Sequence, residues 1–322
     1  MAGVSVTAVS FVLNNKPGVS KETREKVQKI IDETGFRPNL NSKKLLFNKS
    51  YNVCLMINPN SSPFEDLFYF EITRGILNAS RQYGYSITIS DLPQSRKDLP
   101  DLVYMGDTDG LIFMQDISDE LTAKAIHSEI PFVVVDSHSI SETVTSVNPD
   151  YRDAAYTATS HLIKKGHRDI AMISSNVVDS FHNQTLEGFL QAMKENGLPA
   201  HPEFTDICVS NEDGAYLAAK KLLSSANRPT AVLCTVDTFA IGAMRCAKEL
   251  GLRVPEDVSF VGIDDILLSR YTEPKLTTVG IDKVHIGELA MALLLQKIEG
   301  KNPESVNLPM ELVVRESVAD KT

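Results

Sequence analysis

From Tyr51 onward, short apolar runs alternate along the chain with longer amphipathic segments of helical period. Strands that are apolar on both faces and separated by helices form parallel sheets covered on both sides. The pattern therefore predicts an α/β fold with two doubly wound parallel-sheet lobes of similar size. The predicted strands come in two successive series: Val53–Ile57, Tyr85–Ile89, Gly110–Met114 and Phe132–Val135, then Ile170–Ile173, Asp206–Val209, Ala231–Cys234 and Val258–Val261.

Two later segments, Thr277–Ile281 and Glu311–Val314, are also strand-like and can cross between the lobes to complete the sheets. On this basis the first lobe takes residues of about 51–160 and 281–308, and the second takes about 161–280 and 309–322. The pattern leaves open which lobe holds the residues near 150–165 and 275–310.

The first 50 residues have a different pattern, with two short amphipathic helices and no strand-like run. Ser5 can cap a first helix, which ends at the loop Asn14–Gly18. Ser20 can cap a second helix, which Gly35 ends. This segment is too short for a large core, so we expect a small helical headpiece attached to the α/β body.

The formal net charge of the whole chain is −10, and this charge is unevenly divided between its two parts. The first 50 residues hold nine Lys/Arg and four Asp/Glu, whereas the remainder holds 23 and 38. Phosphate attraction acts through the local patch, because screening limits its reach to about 10 Å at moderate salt. The segment is either a basic module that binds nucleic acid or a basic solvated tail.

Several classes of protein are disfavoured by the sequence. No apolar run approaches the roughly 18 residues that span a bilayer, and we recognise no secretory signal. The four cysteines are widely spaced without a CxxC or Cys/His pair, so we expect a reducing cytoplasm, no metal and no cofactor. No phosphate-binding, dinucleotide-binding or G-x-S-x-G motif is present, so we do not expect an enzyme.

The run AGVSVTAVSFVLNNKPGVSKETREKVQKIIDETGFRPN, residues 2–39, closely resembles the DNA-binding headpiece of the LacI/GalR (lac-repressor) family. The resemblance implies a helix-turn-helix headpiece over residues 1–38, whose recognition helix enters the major groove, and a hinge helix or linker over 39–50. Family headpieces begin with another helix before the AGVS turn. We therefore interpret this headpiece as lacking its first helix, and expect the 322 residues to bind DNA poorly.

The resemblance also implies which headpiece residues meet DNA. Phe11 stands where many members carry an arginine, and it either packs against a thymine methyl or joins the core. Leu45 matches the leucine that wedges into the minor groove, although a flexible linker is the alternative. Ser5 and Ser20 can cap helices as well as touch phosphate. The implied DNA-binding residues are Ser5, Val6, Thr7, Ser10, Phe11, Asn14, Ser20, Thr23, Arg24, Lys43, Lys44 and Leu45.

The resemblance continues through the body in the segments 161–167, 231–243, 254–265 and 274–279. They match the family's H-L-x-x-x-G-H, D-x-x-A-x-G, V-P-x-D-V-S-V-V-G-F-D-D and P-x-L-T-T-V patterns. The implied fold is that of periplasmic binding proteins, so residues 51–322 would bind an effector between the lobes and form a homodimer. The implied function is a repressor that binds two-fold symmetric operator DNA and is switched by a small molecule.

Asp264 follows a strand at its carboxyl end and can accept hydrogen bonds from hydroxyl or amine donors, although it can also cap the next segment. Thr185 and Val236 stand where relatives often carry arginine and asparagine, so the effector is less hydroxylated than a typical sugar or binds differently. A sugar or glycoside is still the first expectation from the family. The implied effector residues are Phe68, Tyr69, Asp150, Thr185, Val209, Val236, Asp237 and Asp264, of which the two aromatics can equally be core.

The alternative is a small-molecule binding protein that lacks competent DNA binding because of the missing helix. A solute-uptake binding protein is disfavoured because no signal peptide is recognised and the headpiece-like run is present.

Overall fold

The computed structural model describes residues 3–13, 17–34, 49–57, 66–92, 98–137, 144–175 and 179–322. They belong to two compact units, Met1–Tyr51 and Asn52–Thr322. Four of the residues implied to bind DNA lie outside the described residues: Asn14, Lys43, Lys44 and Leu45.

In the N-terminal unit, the described residues form the two helices that the sequence predicts, α1 (Val6–Leu13) and α2 (Lys21–Thr34). The helices pack against each other. Val12 and Val27 are buried, so the small core consists of apolar side chains from both helices. A unit with so few buried side chains has little stability to spare.

The first lobe of the body is built on a parallel sheet with the order β11-β5-β4-β3-β1-β2. Its strands are β1 (Asn52–Ile57), β2 (Ser86–Asp91), β3 (Gly110–Met114), β4 (Phe132–Val135), β5 (Ser146–Pro149) and β11 (Val306–Leu308). Its helices are α3 (Leu67–Tyr83), α4 (Asp101–Tyr104), α5 (Asp119–His127) and α10 (Lys283–Ile298).

The second lobe has the same architecture, with the strand order β12-β10-β9-β8-β6-β7 and one antiparallel pair, β10 with β12. Its strands are β6 (Ile170–Ser175), β7 (Thr205–Cys208), β8 (Ala231–Cys234), β9 (Ser259–Asp264), β10 (Thr277–Gly280) and β12 (Glu311–Val313). Its helices are α6 (Tyr151–Lys164), α7 (Asp179–Glu195), α8 (Glu212–Leu223) and α9 (Asp237–Glu249), with 3₁₀ turns at Pro202–Phe204 and Leu267–Arg270.

The prediction of two parallel-sheet lobes is confirmed, and the structure places the segments that the sequence left open. Helix α6 packs on α7, β9 and β10, so the first lobe runs to about residue 150, where the sequence put its end at about 160. Helix α10 packs on α3 and β4 of the first lobe. The short strands β5 and β11 were not predicted, because SVNP and VNL carry too little apolar pattern to stand out.

Helices α3 and α10 approach closely because glycines meet where they cross. A Cβ atom at Gly75 would lie 2.0 Å from the Val284 carbonyl oxygen and 3.1 Å from the Gly287 Cα. We therefore expect Gly75→Ala to push α10 off the first lobe and lower the free energy of unfolding by about 2–4 kcal/mol, measured by urea unfolding. Asn78→Ala, on the exposed face of the same helix, is the control and should change it by less than about 0.5 kcal/mol. Equal stabilities of the two variants would contradict this packing.

Candidate functional site

Strained backbone marks the carboxyl ends of strands in both lobes. Gln115 after β3 has φ 74°, and Asp136 after β4 has φ 59°. At the end of β9, Asp264 has φ 114° and Asp265 has φ 48°. Residues with side chains seldom adopt positive φ, and such strain concentrates at functional sites. The carboxyl ends of these strands are therefore the first place to look for a ligand site.

Asp136 joins the two lobes through tyrosine hydroxyls. Its carboxylate is buried and accepts hydrogen bonds from Tyr69, on α3 of the first lobe, and from the Tyr151 hydroxyl at 2.8 Å. Tyr151 is the first residue of α6, so this second bond crosses between the lobes. Burial, and then the negative charge of Asp136, raise the pKa of both tyrosines well above the ordinary value. Both hydroxyls therefore stay protonated and remain hydrogen-bond donors.

Asp264, at the carboxyl end of β9, is a buried carboxylate that receives no hydrogen bond from the part of the chain that the structure describes. Its pKa is raised well above the ordinary value, first by burial and then by the charge of Asp237. Asp66 and Asp136 act in the same direction, and Lys283 opposes them. A carboxylate in this position can accept hydrogen bonds from the donors of a ligand.

Lys283 holds the strained end of β9 against the first lobe. It is the first residue of α10, and its Nζ donates to the carbonyl oxygens of Asp264, Asp265 (3.0 Å) and Ile281 (3.3 Å). The Asp265 carboxylate is itself paired with Arg315 and with another arginine of the second lobe. The backbone that carries Asp264 is thus fixed by charged side chains from both lobes.

Asp237, which the sequence assigned to the effector, is fully buried and uses both carboxylate oxygens within the protein. One oxygen accepts from the Thr278 hydroxyl at 2.6 Å. The other accepts from the Ile266 amide at 2.9 Å and the Ser269 hydroxyl at 2.5 Å. These bonds tie β10 and the segment after Asp264 to the start of α9. The geometry fits a residue that positions Asp264.

Three other residues implied to bind the effector also have local roles. The Asp150 carboxylate accepts the Asp153 amide at 2.9 Å and caps α6. The Thr185 hydroxyl is buried and donates to carbonyls of its own helix, so it does not replace an arginine in the cleft. Phe68 is buried in the core of the first lobe with its ring edge-on to Tyr69 at 5.2 Å.

The remaining two are the valines. Val209 follows β7 and is exposed, and Val236 precedes α9 and is half-buried against the core of the second lobe. Of the implied set, therefore, Tyr69 and Asp264 lie with the charged groups of the cleft. The others cap helices, fill cores or lie apart from this group.

Sequence reasoning missed several groups that the structure brings to the cleft. Asp136 follows the carboxyl end of β4, much as Asp264 ends β9. A carboxylate at the end of a predicted strand is a sequence signal that could have identified Asp136. Tyr151 is next to Asp150, the residue that the family resemblance implied to bind the effector. His182, on α7 one turn before Thr185, is half-buried with Nδ1 3.0 Å from the Ser174 hydroxyl oxygen. No sequence signal pointed to Lys283, since its role depends on which carbonyls meet it.

In the headpiece, the serines and Phe11 take part in local contacts. The Ser5 hydroxyl oxygen accepts the Ala8 amide at 3.2 Å, and that of Ser20 accepts the Thr23 amide at 3.3 Å, so both serines cap helices. A Cβ atom on Gly18 would lie 3.2 Å from the Phe11 ring, so this ring packs within the headpiece. Among the other implied residues, Val6 begins α1, Thr7 is exposed on this helix, and Ser10 and Arg24 are half-buried.

Within the described ranges, no three His, Cys, Asp or Glu side chains group closely enough to hold a metal ion. None of the helices that the structure describes combines the length and apolarity needed to span a bilayer. The four cysteines are buried free thiols, and burial raises the pKa of Cys208 to about 11, so this thiol is unreactive.

Comparison with known proteins agrees with this architecture. Residues 1–39 match the family described as bacterial regulatory proteins, lacI family, and residues 159–318 match a periplasmic binding protein-like domain. The HTH-type transcriptional repressor PurR of Vibrio vulnificus is 32% identical over 99% of this chain and 96% of its own length. Catabolite control protein A of Priestia megaterium is 33% identical over 98% of this chain and 96% of its own.

Solved structures give the same result. The lac repressor dimer bound to operator and the anti-inducer ONPF superposes with a TM-score of 0.82, at 26% identity, over 99% of this chain and 96% of that one. The transcriptional regulator CelR in complex with cellobiose superposes with a TM-score of 0.75, at 28% identity, over 98% of this chain and 97% of that one.

Proposed function

Because the chain belongs to the lacI family of bacterial regulatory proteins, and is therefore a DNA-binding transcriptional regulator, we propose that a small polar metabolite binds between its lobes at Asp264 and Asp136. Occupancy of this cleft changes the affinity of a homodimer for two-fold symmetric operator DNA. The observation that carries the proposal is the Asp264 carboxylate, which is buried at the end of a strained strand and receives no hydrogen bond from the residues that the structure describes. A ligand hydroxyl or amine supplies that donor.

A sugar or a related polar metabolite is the favoured class of effector. CelR, which is similar over nearly its whole length, is solved with cellobiose, and a LacI-family regulator of Enterococcus faecium is solved with ribose. In this chain, Asp264 can accept from ligand hydroxyls. The Tyr69 and Tyr151 hydroxyls donate to Asp136, and Tyr151 lies near enough to Asp264 for the charge of Asp264 to raise its pKa. Such an arrangement suits a ligand with several hydroxyl groups.

The switch that we propose is a population shift between two arrangements of the lobes. Among the described residues, hydrogen bonds cross between the lobes where Tyr151 meets Asp136 and where Lys283 meets the carbonyls of Asp264 and Asp265. A ligand that bonds Asp264 and Asp136 together favours one arrangement over the other. In the similar lac repressor, a dimer binds the operator. A change in the lobes of such a dimer alters the spacing of its two headpieces.

In the headpiece, we propose that Val6 and Thr7 on α1 face the bases. The capping residues Ser5 and Ser20 lie at helix starts, where amides and hydroxyls can also meet phosphate. Since the relatives are regulators, we propose no catalytic activity, and a cytoplasmic location in contact with DNA.

The proposal is tested by thermal unfolding of the chain with sugars, including cellobiose and ribose, and with nucleosides. A ligand that binds only the folded state stabilises it by about 2.7 kcal/mol at a hundred times its dissociation constant, so Tm should rise and saturate for at least one compound. Calorimetry of that compound should give one site per chain. No rise with any member of the panel would contradict the proposed effector class.

A further inference from the structure

The described loop residues that follow the carboxyl ends of the parallel strands include several carboxylates and no lysine or arginine. Cations elsewhere in the body are numerous, so their absence from these loops is a local property. These described loop residues are 66, 92, 98–100, 115–118, 136–137, 150, 209–211, 235–236, 265–266, 281–282 and 309–310.

Three of the described side chains of the cleft, Asp66, Asp136 and Asp264, are carboxylates. Burial raises the pKa of Asp66, and the charge of Asp136 adds to this effect. Burial also raises the pKa of Asp264, and the charges of Asp237, Asp66 and Asp136 add to it. Asp136 satisfies its oxygens with two tyrosine hydroxyls, whereas Asp264 has no donor from the described residues. The repulsion between these carboxylates, which raises the pKa of Asp264, is relieved by a proton or by a positive charge placed among them.

Lys283 supplies a positive charge nearby but does not bond the carboxylates. Its three ammonium donors match three carbonyl oxygens, those of Asp264, Asp265 and Ile281. It therefore has no donor left for a ligand anion or for the Asp264 carboxylate. Its single charge also offsets only one of the three carboxylates named above.

We infer that the effector carries a protonated amine that binds the Asp264 carboxylate, as in an amino sugar or another small amino polyol. This inference rests on the proposed function and names the class of its ligand. An ammonium group bonded to a carboxylate forms a strong charge-assisted hydrogen bond, and a buried site without bulk water favours it further. The same charges disfavour phosphorylated and carboxylated metabolites, which need a free cation that the described cleft does not offer.

The experiment is calorimetric titration of the full chain with matched sugars at about pH 6.5, where such amines are largely protonated. Each set contains an amino sugar, its neutral hydroxyl parent and its N-acetyl derivative: glucosamine with glucose and N-acetylglucosamine, and galactosamine with galactose and N-acetylgalactosamine. The N-acetyl form keeps the nitrogen and removes the charge. We expect the amine to bind at least tenfold tighter than both neutral members in one set or more.

Asp264→Asn keeps the shape of the side chain and removes its charge, so it should reduce the amine preference to about twofold or less. Asp213→Asn removes the same charge from an exposed position on α8 of the same lobe and should leave the preference unchanged. Neutral sugars that bind as tightly as their amines would overturn this inference and leave the proposed function standing. Binding of no member of the sets would also overturn it, and the wider panel of sugars and nucleosides then decides the proposed function separately.

Discussion

Replacing Asp237 by alanine is expected to lower the free energy of unfolding by about 3–5 kcal/mol at neutral pH, measured by urea unfolding. The reason is that three buried donors lose their acceptor at once: the Ser269 and Thr278 hydroxyls and the Ile266 amide. An unpaired buried donor costs about 1–3 kcal/mol. The expected loss is smaller than the full cost of all the unpaired donors, because the hydroxyls can turn towards other partners.

Asp237→Asn is the matched variant, because an amide keeps one acceptor oxygen in the same place. We expect it to lose about 1–2 kcal/mol. Asp213→Ala, at an exposed site on α8, controls for the loss of a carboxylate and should change the stability by less than about 0.5 kcal/mol. An Asp237→Ala protein as stable as the Asp213→Ala protein would contradict the positioning role.

Asp237 also gives the stability a pH dependence of known sign. Burial raises its pKa from the ordinary 3.8 to about 6 in the folded protein, with the charge of Asp265 acting in the same direction. Between these values the folded state keeps a proton that the unfolded chain has lost. This contribution to stability is therefore present at low pH and is lost as the pH rises through about 6. Comparison of the two proteins from about pH 5 to 7.5 should show a smaller fall in stability for Asp237→Asn than for the wild type.

Replacing Asp264 by alanine is expected to weaken the binding of the ligand strongly. For whichever sugar or nucleoside binds the wild type, the dissociation constant should rise roughly a hundredfold in calorimetry. A hydrogen bond between a charged group and a buried ligand is worth about 1.5–3 kcal/mol, and Asp264 is buried, at the end of β9.

Thermal unfolding without ligand separates this loss from misfolding. Since the Asp264 carboxylate receives no hydrogen bond from the described residues, its removal should leave Tm unchanged or raise it slightly by relieving repulsion from Asp136 and Asp237. Unchanged affinity in Asp264→Ala, with a ligand bound at one site per chain, would place the effector elsewhere.

The lobes could be predicted from the sequence because their strands are buried on both faces. Runs such as GLIFM and AVLC are apolar throughout, and a run of this kind between amphipathic helices has few other structures open to it. The edge of the first sheet was missed because SVNP and VNL contain too few apolar residues to stand out. The assignment of α6 to the second lobe depends on its packing against β9 and β10, which are distant from it in sequence.

The site was harder to predict than the fold, for a similar reason. Asp264 was found because it ends a recognisable strand. Asp237 belongs to an equally recognisable pattern, yet its carboxylate faces inward to Thr278 and Ser269, and sequence spacing does not tell which way a side chain points. The Tyr151–Asp136 bond joins residues on different lobes. Contacts of this kind arise from how the lobes meet, which no local pattern encodes.

The central claim is that a small molecule in the cleft changes the affinity of this regulator for DNA. The direct measurement is fluorescence anisotropy of a two-fold symmetric duplex, selected by the full chain from random-sequence DNA, titrated with and without a saturating cleft ligand. The predicted quantity is the ratio of the affinities for DNA with and without the ligand, which can be measured for a weak complex as well as for a tight one. We predict that the ligand changes the dissociation constant about tenfold or more, and that Asp264→Ala abolishes the change. The same dissociation constant with the cleft empty and saturated would contradict the account.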